Sequence, residues 1–229
     1  MQLEPLRESL PIGVEVYRLD LDLSAHAQSS WHLLTPDERT RAGRFLKCAD
    51  RERFSQTRAS VRRLLARRLG CCPAEVPLSV GCHGKPFIEE DIEGVPLFNV
   101  SHSGRHALIA LANPQTISCI GVDIQQRRGD LDASSVLDIA FTSQERDEAR
   151  RSGDAIQALY LRWVGKEAVL KAIGVGVTEH LQRVGVRPRA SRRFDIACGV
   201  PGWGGMEAMA LPVPQGYAAA LAWQAKEST

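Results

Sequence analysis

The residues able to do chemistry fall into two groups. The first lies in Leu159–Gly174, LYLRWVGKEAVLKAIG. At about 100° per residue, Ile156, Leu159, Trp163 and Leu170 form one apolar helix face, and Glu167 lies roughly 40° from Trp163 on it. A carboxylate near a core needs a cation or hydrogen-bond donors, because burying it alone costs several kcal/mol. Lys166 and Lys171 flank the stripe. Two arrangements satisfy this pattern. One is a Glu167–Lys171 pair on a wet surface, worth about 0.3–0.5 kcal/mol. The other is an inward carboxylate that holds a metal, with lysines meeting an anionic substrate. The second group is Gly121-Val122-Asp123-Ile124-Gln125. In an extended segment Asp123 and Gln125 share one face, and a carboxylate beside a neutral carbonyl can ligate a hard cation. The alternative is the polar face of an edge strand.

Two further stretches suit anions. FNVSHSG, Phe98 to Gly104, reads as a strand ending at Val100 and running into a loop of small polar residues. Ser101, His102 and Ser103 offer hydroxyls, an imidazole and open backbone amides. It is not the G-x-S-x-G elbow of serine hydrolases. In the helix Arg51–Leu69, Arg51, Arg58 and Arg62 fall on one stripe at the edge of a face formed by Phe54, Val61, Leu64 and Leu65. Guanidinium groups there either bind phosphate or snorkel over apolar surface. Arg63 and Arg67 point to solvent. Gly84-Lys85-Pro86 lies in a turn-rich passage.

These groups must be positioned by a mixed set of elements. Gly13–Leu23, Pro96–Val100, His106–Ala112, Val184–Val186, Arg193–Ala197 and Tyr217–Trp223 read as strands. Thr35-Pro36-Asp37-Glu38 and Thr142-Ser143-Gln144-Glu145 are capping-box helix starts. Gly70 ends the arginine-rich helix. The Glu167 helix begins at Asp154.

The chain has 229 residues, 44% hydrophobic and 24% charged, which suits a soluble globular protein with a sizeable core. Net charge is only +2, yet Asp37–Arg68 carries eleven basic and four acidic residues. A local basic segment points to a phosphorylated small molecule, nucleic acid or an acidic partner. Aromatic content is 6% and the basic segment has no aromatic pair for base stacking, which argues against a nucleic-acid binder. No run approaches the roughly 18 apolar residues of a membrane span, and MQLEPLRESLP has no signal-peptide core. The six cysteines have no C-x-x-C spacing, and Cys82–His83 lacks partners at zinc-finger spacing. Reduced thiols in a cytoplasmic protein are expected.

The chain is written twice. GVEV at 13–16 matches GVDI at 121–124, LTPDER matches FTSQER, VRRLLARRLG matches GKEAVLKAIG, and HALIALA resembles YAAALAW. The four landmarks keep their order at nearly one offset. The expected fold is therefore α/β (α+β), a pseudodimer of two similar subdomains, 1–113 and 114–229, with the active site in the cleft between them. Arg63 stands where Glu167 would be in the first copy, so the repeated fold does not demand the carboxylate.

GKP, FNVSHSG, GVDIQ, FTSQER and WVGKEAVLKAIG together resemble the 4′-phosphopantetheinyl transferases, in the larger surfactin-synthetase-activating type. The resemblance runs from about Leu34 to Gly174, and more loosely to Trp223. It implies Mg²⁺ and coenzyme A between the halves. It also implies transfer of 4′-phosphopantetheine to a serine of an acyl, aryl or peptidyl carrier protein, with release of adenosine 3′,5′-bisphosphate. The carriers would serve fatty acid, polyketide or nonribosomal peptide synthesis. Carried over by position, Asp123 and Glu167 are metal ligands, with Gln125 weak or acting through water. The catalytic set is Glu167, Asp123, Lys166 and Lys171. Arg44, Arg53, Arg58, Lys85, Ser101, His102, Lys166 and Lys171 hold coenzyme A. The base is Glu167 or a metal-bound water or hydroxide. Gln125 departs from the family, where Glu is common. A monomer is expected, since the duplicated chain supplies its own partner. The alternatives are another Mg-dependent transferase or hydrolase acting on a nucleotide pyrophosphate, and a non-enzymatic nucleic-acid-binding protein.

Overall fold

Local signals set the helix boundaries. Helix α1 (Pro36–Gly43) opens on a capping box in which Thr35 accepts from Glu38 N and Glu38 accepts from Thr35 N. The same device, Thr142 with Glu145, opens α3 (Ser143–Arg150). The two long helices, α2 (Cys48–Leu69) and α4 (Ala155–Ile173), both end on a left-handed glycine, Gly70 and Gly174. Only glycine takes that conformation without a Cβ penalty. The structure is a computed structural model that describes residues 2–24, 28–81, 84–88, 92, 94–127, 139–177 and 179–226. Cys82 and His83 lie outside the described residues.

Two antiparallel sheets carry the rest. The first contains β1 (Gln2–Pro5), β2 (Val14–Asp20), β5 (Leu97–Ser103) and β6 (His106–Ala112), in the order β1-β2-β6-β5. The second contains β7 (Ile117–Gln126), β8 (Val184–Pro188), β9 (Arg193–Cys198), β10 (Glu207–Ala210) and β11 (Tyr217–Ala225), in the order β7-β11-β10-β9-β8. A separate hairpin, β3 (Leu78–Val80) with β4 (Pro86–Ile88), leads into and out of the GKP turn. In each half the first landmark strand pairs antiparallel with the last, β2 with β6 and β7 with β11. The halves thus repeat in topology, as a pseudodimer.

Packing gives four layers. Val61, Leu64 and Leu65 of α2 cover Phe98, Ile109 and Leu111 of the first sheet. Val164 and Ala168 of α4 cover Ala218, Ala220 and Ala222 of the second. Between the sheets, Val14, Val16, Leu108 and Ala110 meet Val122, Ile124, Met209 and Leu221. Strand β6 alternates between the two cores, which is why HALIALA is apolar throughout. Helix α4 sits close on β7 because Gly121 has no side chain. A Cβ there would lie 2.0 Å from Ala168 O and 2.5 Å from Ala172 N.

Several expectations need correction. The SHS segment is not a loop, since β5 continues through Ser103 and turns at Gly104. Strands β1, β3, β4 and β10 were not legible, being only three or four residues long. Ile156 is 55% exposed and not part of the core face of α4, which is instead buried on most sides from Arg162 to Ala172.

Candidate active site

The site lies where the two sheets meet at their edges. β5 is the last strand of one sheet and β7 the first of the other. Among the described residues no backbone ladder joins them. Side chains do so instead. Asn99 Oδ1 accepts from Val122 N at 2.9 Å, Ser101 Oγ from Ile124 N at 3.3 Å, and Ser103 Oγ from Gln126 N at 3.0 Å.

Asp123 projects from β7 at this seam, fully buried. Its Oδ1 accepts from Lys171 Nζ at 2.6 Å and from Ser101 Oγ at 2.7 Å. Lys171 also donates to Ser101 Oγ at 3.1 Å and stands 3.6 Å from Glu167 Oε2. One ammonium therefore serves two carboxylates. Burial, and then the charge of Asp123, push the Glu167 carboxyl up from 4.5 to about 7, against the pull of Lys171. Burial works against the Lys171 charge, but Asp123 and Glu167 outweigh it and hold its pKa above the usual lysine value. The Gln125 amide lies beside Asp123, with Nε2 3.4 Å from Oδ2.

Asp123, Gln125 and Lys171 form one wall of a cavity of about 270 Å³. Arg41, Phe54, Thr57, Arg58 and His102 of the first half also line it, along with Gly84 and Pro86 of the GKP turn. Arg41 and Arg58 both lie over the Phe54 ring, at 5.1 and 5.7 Å from its centroid. Such contacts hold guanidinium planes in place, and Arg58 Nε also stands 3.5 Å from Glu38 Oε1. The Thr57 hydroxyl is buried with no hydrogen-bond partner. Two neighbouring carboxylates have the oxygen chemistry that suits a hard divalent cation, while Gln125 presents Nε2 to Asp123 and its Oε1 to Ser103. Among the described residues no three His, Cys, Asp or Glu side chains converge, so this site has two carboxylates and no third ligand of those types.

The structure separates the residues proposed from sequence. Asp123, Lys171 and Glu167 come together, and Gln125, Arg58, Ser101 and His102 join them. The Ser101 hydroxyl is fully used, with its donor on Asp123 and its lone pairs on Ile124 N and Lys171, so phosphate does not find it free. Lys85 turns from the cavity and donates to Lys171 O at 2.8 Å, at the C-terminal end of α4. Arg53 supports the turn between β5 and β6 by donating to Gly104 O at 3.1 Å. Arg44 lines a neighbouring surface hollow with Asp37, Thr40, Arg41 and Phe45.

Lys166 is not at the site. It is fully buried, and its ammonium binds Glu145 Oε2 at 2.7 Å, Ala140 O at 2.8 Å and Leu181 O at 3.0 Å. Arg62 is its counterpart in the first half. It is 2% exposed, with Nε 2.7 Å from Glu38 Oε2 and further donations to Pro73 O, Ala74 O and Val76 O. Glu38 and Glu145 are the capping-box residues of α1 and α3. The repeated fold uses one cation per half to anchor its capping helix to its long helix. Arg62 and Lys166 serve that purpose, and all three donors of the Lys166 ammonium are used. Sequence reasoning missed Arg41, Phe54 and Thr57. Phe54 and Thr57 share the α2 face with Arg58 and were findable, whereas Arg41 reaches the cavity from α1, and nothing local predicts that.

The carboxylate–ammonium centre at the seam borders a cavity that two arginines also line. Comparison with known proteins gives the family. The 4′-phosphopantetheinyl transferase superfamily profile matches residues 119–222, and the N-terminal 4′-phosphopantetheinyl transferase profile matches 23–114. The chain is 36% identical over 157 residues to a putative 4′-phosphopantetheinyl transferase of Synechocystis sp., covering 66% of this chain and 61% of that protein. It is 33% identical over 170 residues to the 4′-phosphopantetheinyl transferase HetI of Nostoc sp., covering 72% and 70%. With the L-aminoadipate-semialdehyde dehydrogenase-phosphopantetheinyl transferase of Homo sapiens it shares 30% over 163 residues, covering 66% and 52%. The chain thus spans between about half and 70% of the length of these relatives. It belongs to the 4′-phosphopantetheinyl transferase superfamily.

Proposed function

We propose that this chain transfers the 4′-phosphopantetheine group of coenzyme A to a serine of an acyl, aryl or peptidyl carrier protein, releasing adenosine 3′,5′-bisphosphate. The reading makes it a Mg²⁺-dependent, monomeric, cytoplasmic enzyme of the larger surfactin-synthetase-activating type, divided into subdomains 1–113 and 114–229. No described helix is long and apolar enough to cross a membrane. The observation that carries the reading is the Asp123–Lys171–Glu167 cluster at the seam, beside a cavity that Arg41, Arg58 and His102 also line.

Arg41 and Arg58 bind the phosphates of coenzyme A, with His102 beside them. Asp123 and Glu167 would hold the Mg²⁺, with the Gln125 amide near. When bound, the ion supplies positive charge to the phosphoryl oxygens in the transition state. Lys171 keeps its proton, fixes Asp123 and adds a second positive charge. In the transfer, the serine Oγ bonds to the phosphorus of the phosphopantetheine group. The bond from that phosphorus to the leaving bisphosphate oxygen breaks. The hydroxyl proton passes to Glu167 or to a water of the site.

Incubation with coenzyme A, Mg²⁺ and several apo carrier proteins, read by mass spectrometry, tests the proposal. No mass gain of phosphopantetheine on any carrier would sink it. Three arginines of the basic segment are engaged within the fold or the cavity, while Arg63 and Arg67 face solvent. Arg62 is buried, Arg39 is bound to Trp31 O and Leu34 O, and Arg58 lines the cavity.

A further inference from the structure

The seam between the halves differs from an ordinary sheet in a way that bears on the site. Asn99, Ser101 and Ser103 occupy every second position of β5. They accept from Val122, Ile124 and Gln126, every second amide of β7. Backbone ladders tolerate most side chains, but this ladder is made of side chains and depends on their identity. The middle rung, Ser101, is part of the Asp123–Lys171 cluster. The outer rungs touch neither Asp123 nor Lys171. Asn99 is buried, one residue pair below the cluster, and Ser103 closes the other end, where its hydroxyl is also 3.4 Å from Gln125 Oε1.

We propose that Asn99 and Ser103 are positioning residues: they fix the register and spacing of β7 against β5, and so hold Asp123 where Lys171 and the cavity require it. Without the Asn99 carbonyl, Val122 N–H is left buried without a partner, and the strand must shift to find one. Such a shift moves Asp123 next door and loosens Lys171, whose main anchors are Asp123 and Ser101. The consequence for metal affinity rests on the reading of Asp123 as a ligand, but the consequence for Lys171 does not.

The test is lysine footprinting with an amine-reactive succinimidyl ester, mapped by mass spectrometry, on the full chain and on Asn99→Ala, Ser103→Ala and Ser103→Thr. Lys166 is fully buried at a distance from the seam and reports global opening. In both alanine variants Lys171 should label several-fold faster while Lys166 stays protected, and Ser103→Thr, which keeps the hydroxyl, should behave as wild type. Mn²⁺ affinity, followed by electron paramagnetic resonance, should fall several-fold in the same two variants. If Lys171 labels at the wild-type rate in both, or rises only together with Lys166, the rungs are merely structural and the proposal fails. Should Asn99→Ala not fold, the partly exposed Ser103 pair decides alone. Wild-type protein that binds no Mn²⁺ would overturn the metal reading, and the footprint would still judge the seam.

Discussion

Glu167 and Asp123 compete for one ammonium, and this makes the free site pH-sensitive. The Glu167 carboxyl titrates near 4.5 when unfolded and at about 7 when folded. Between those values the native state holds the extra proton, so stability falls as pH rises through the window. Without metal, the protein should lose on the order of 1–3 kcal/mol from this group between about pH 4.5 and 7. Glu167→Gln should flatten that part of the curve and be the more stable protein at pH 8, measured by thermal melts at fixed ionic strength. Parallel curves for the two proteins would show that Glu167 does not bear the burden. Gln125 offers a second test. Its amide lies against Asp123, so Gln125→Glu adds a negative charge beside the other two carboxylates. Mg²⁺ should bind several-fold tighter by titration calorimetry, and equal affinities would place Gln125 away from the ion. Asp123, Gln125 and Glu167 were legible in the sequence because alternation and helical angle fix which way a side chain points. The Glu167–Lys171 pair was legible too, from its spacing, but the Ser101 partner of Asp123 was not, since it is 22 residues away in the chain and its strand carries the small polar residues of a loop.

Among the elements, Lys166 is the instructive case. The helix alone allowed it to meet a ligand, because angle gives direction but not what waits there. What waits is Glu145, 21 residues earlier, already tied to Thr142 N and Val186 N. The duplication held this information, since Arg62 aligns with Lys166 and Glu38 with Glu145. Two aligned cation–carboxylate pairs in a repeat indicate a device of the fold. Lys166→Met should therefore leave Glu145 buried without its cation, costing about 3–5 kcal/mol. At this chain length the melting temperature should fall by roughly 10 °C. Coenzyme A affinity, measured on the folded variant, should hardly change, and a loss of affinity at unchanged stability would return Lys166 to the site. The capping boxes and terminal glycines were legible because their chemistry is local. The short strands lack that advantage, since only their neighbours make them strands.

For the whole molecule, the central layer is shared. Val14, Val16 and Leu108 of one half face Val122, Ile124 and Leu221 of the other. Neither half can bury that surface alone, and each would also expose the edge strand that now lines the seam. Residues 1–113 expressed alone should fail to give a monomer with a cooperative melt, as judged by size-exclusion chromatography and circular dichroism. A well-behaved half would mean that the layers are independent. The duplication itself, visible in four short matches, was the most informative whole-chain signal, and it predicted a cleft. It did not predict that the two halves would be joined by side chains.

The first half keeps traces of the same chemistry in the open. Glu15 occupies the place of Asp123, and Arg63 and Arg67 those of Glu167 and Lys171. Glu15 pairs at the surface with Arg68, each more than 40% exposed, and Arg63 and Arg67 face solvent. The two halves share a plan, but only one position in it is enclosed. Stoichiometry follows from that asymmetry. Calorimetric titration with coenzyme A should saturate at one equivalent per chain, and a second equivalent would mean that the exposed counterpart had never lost its ligand.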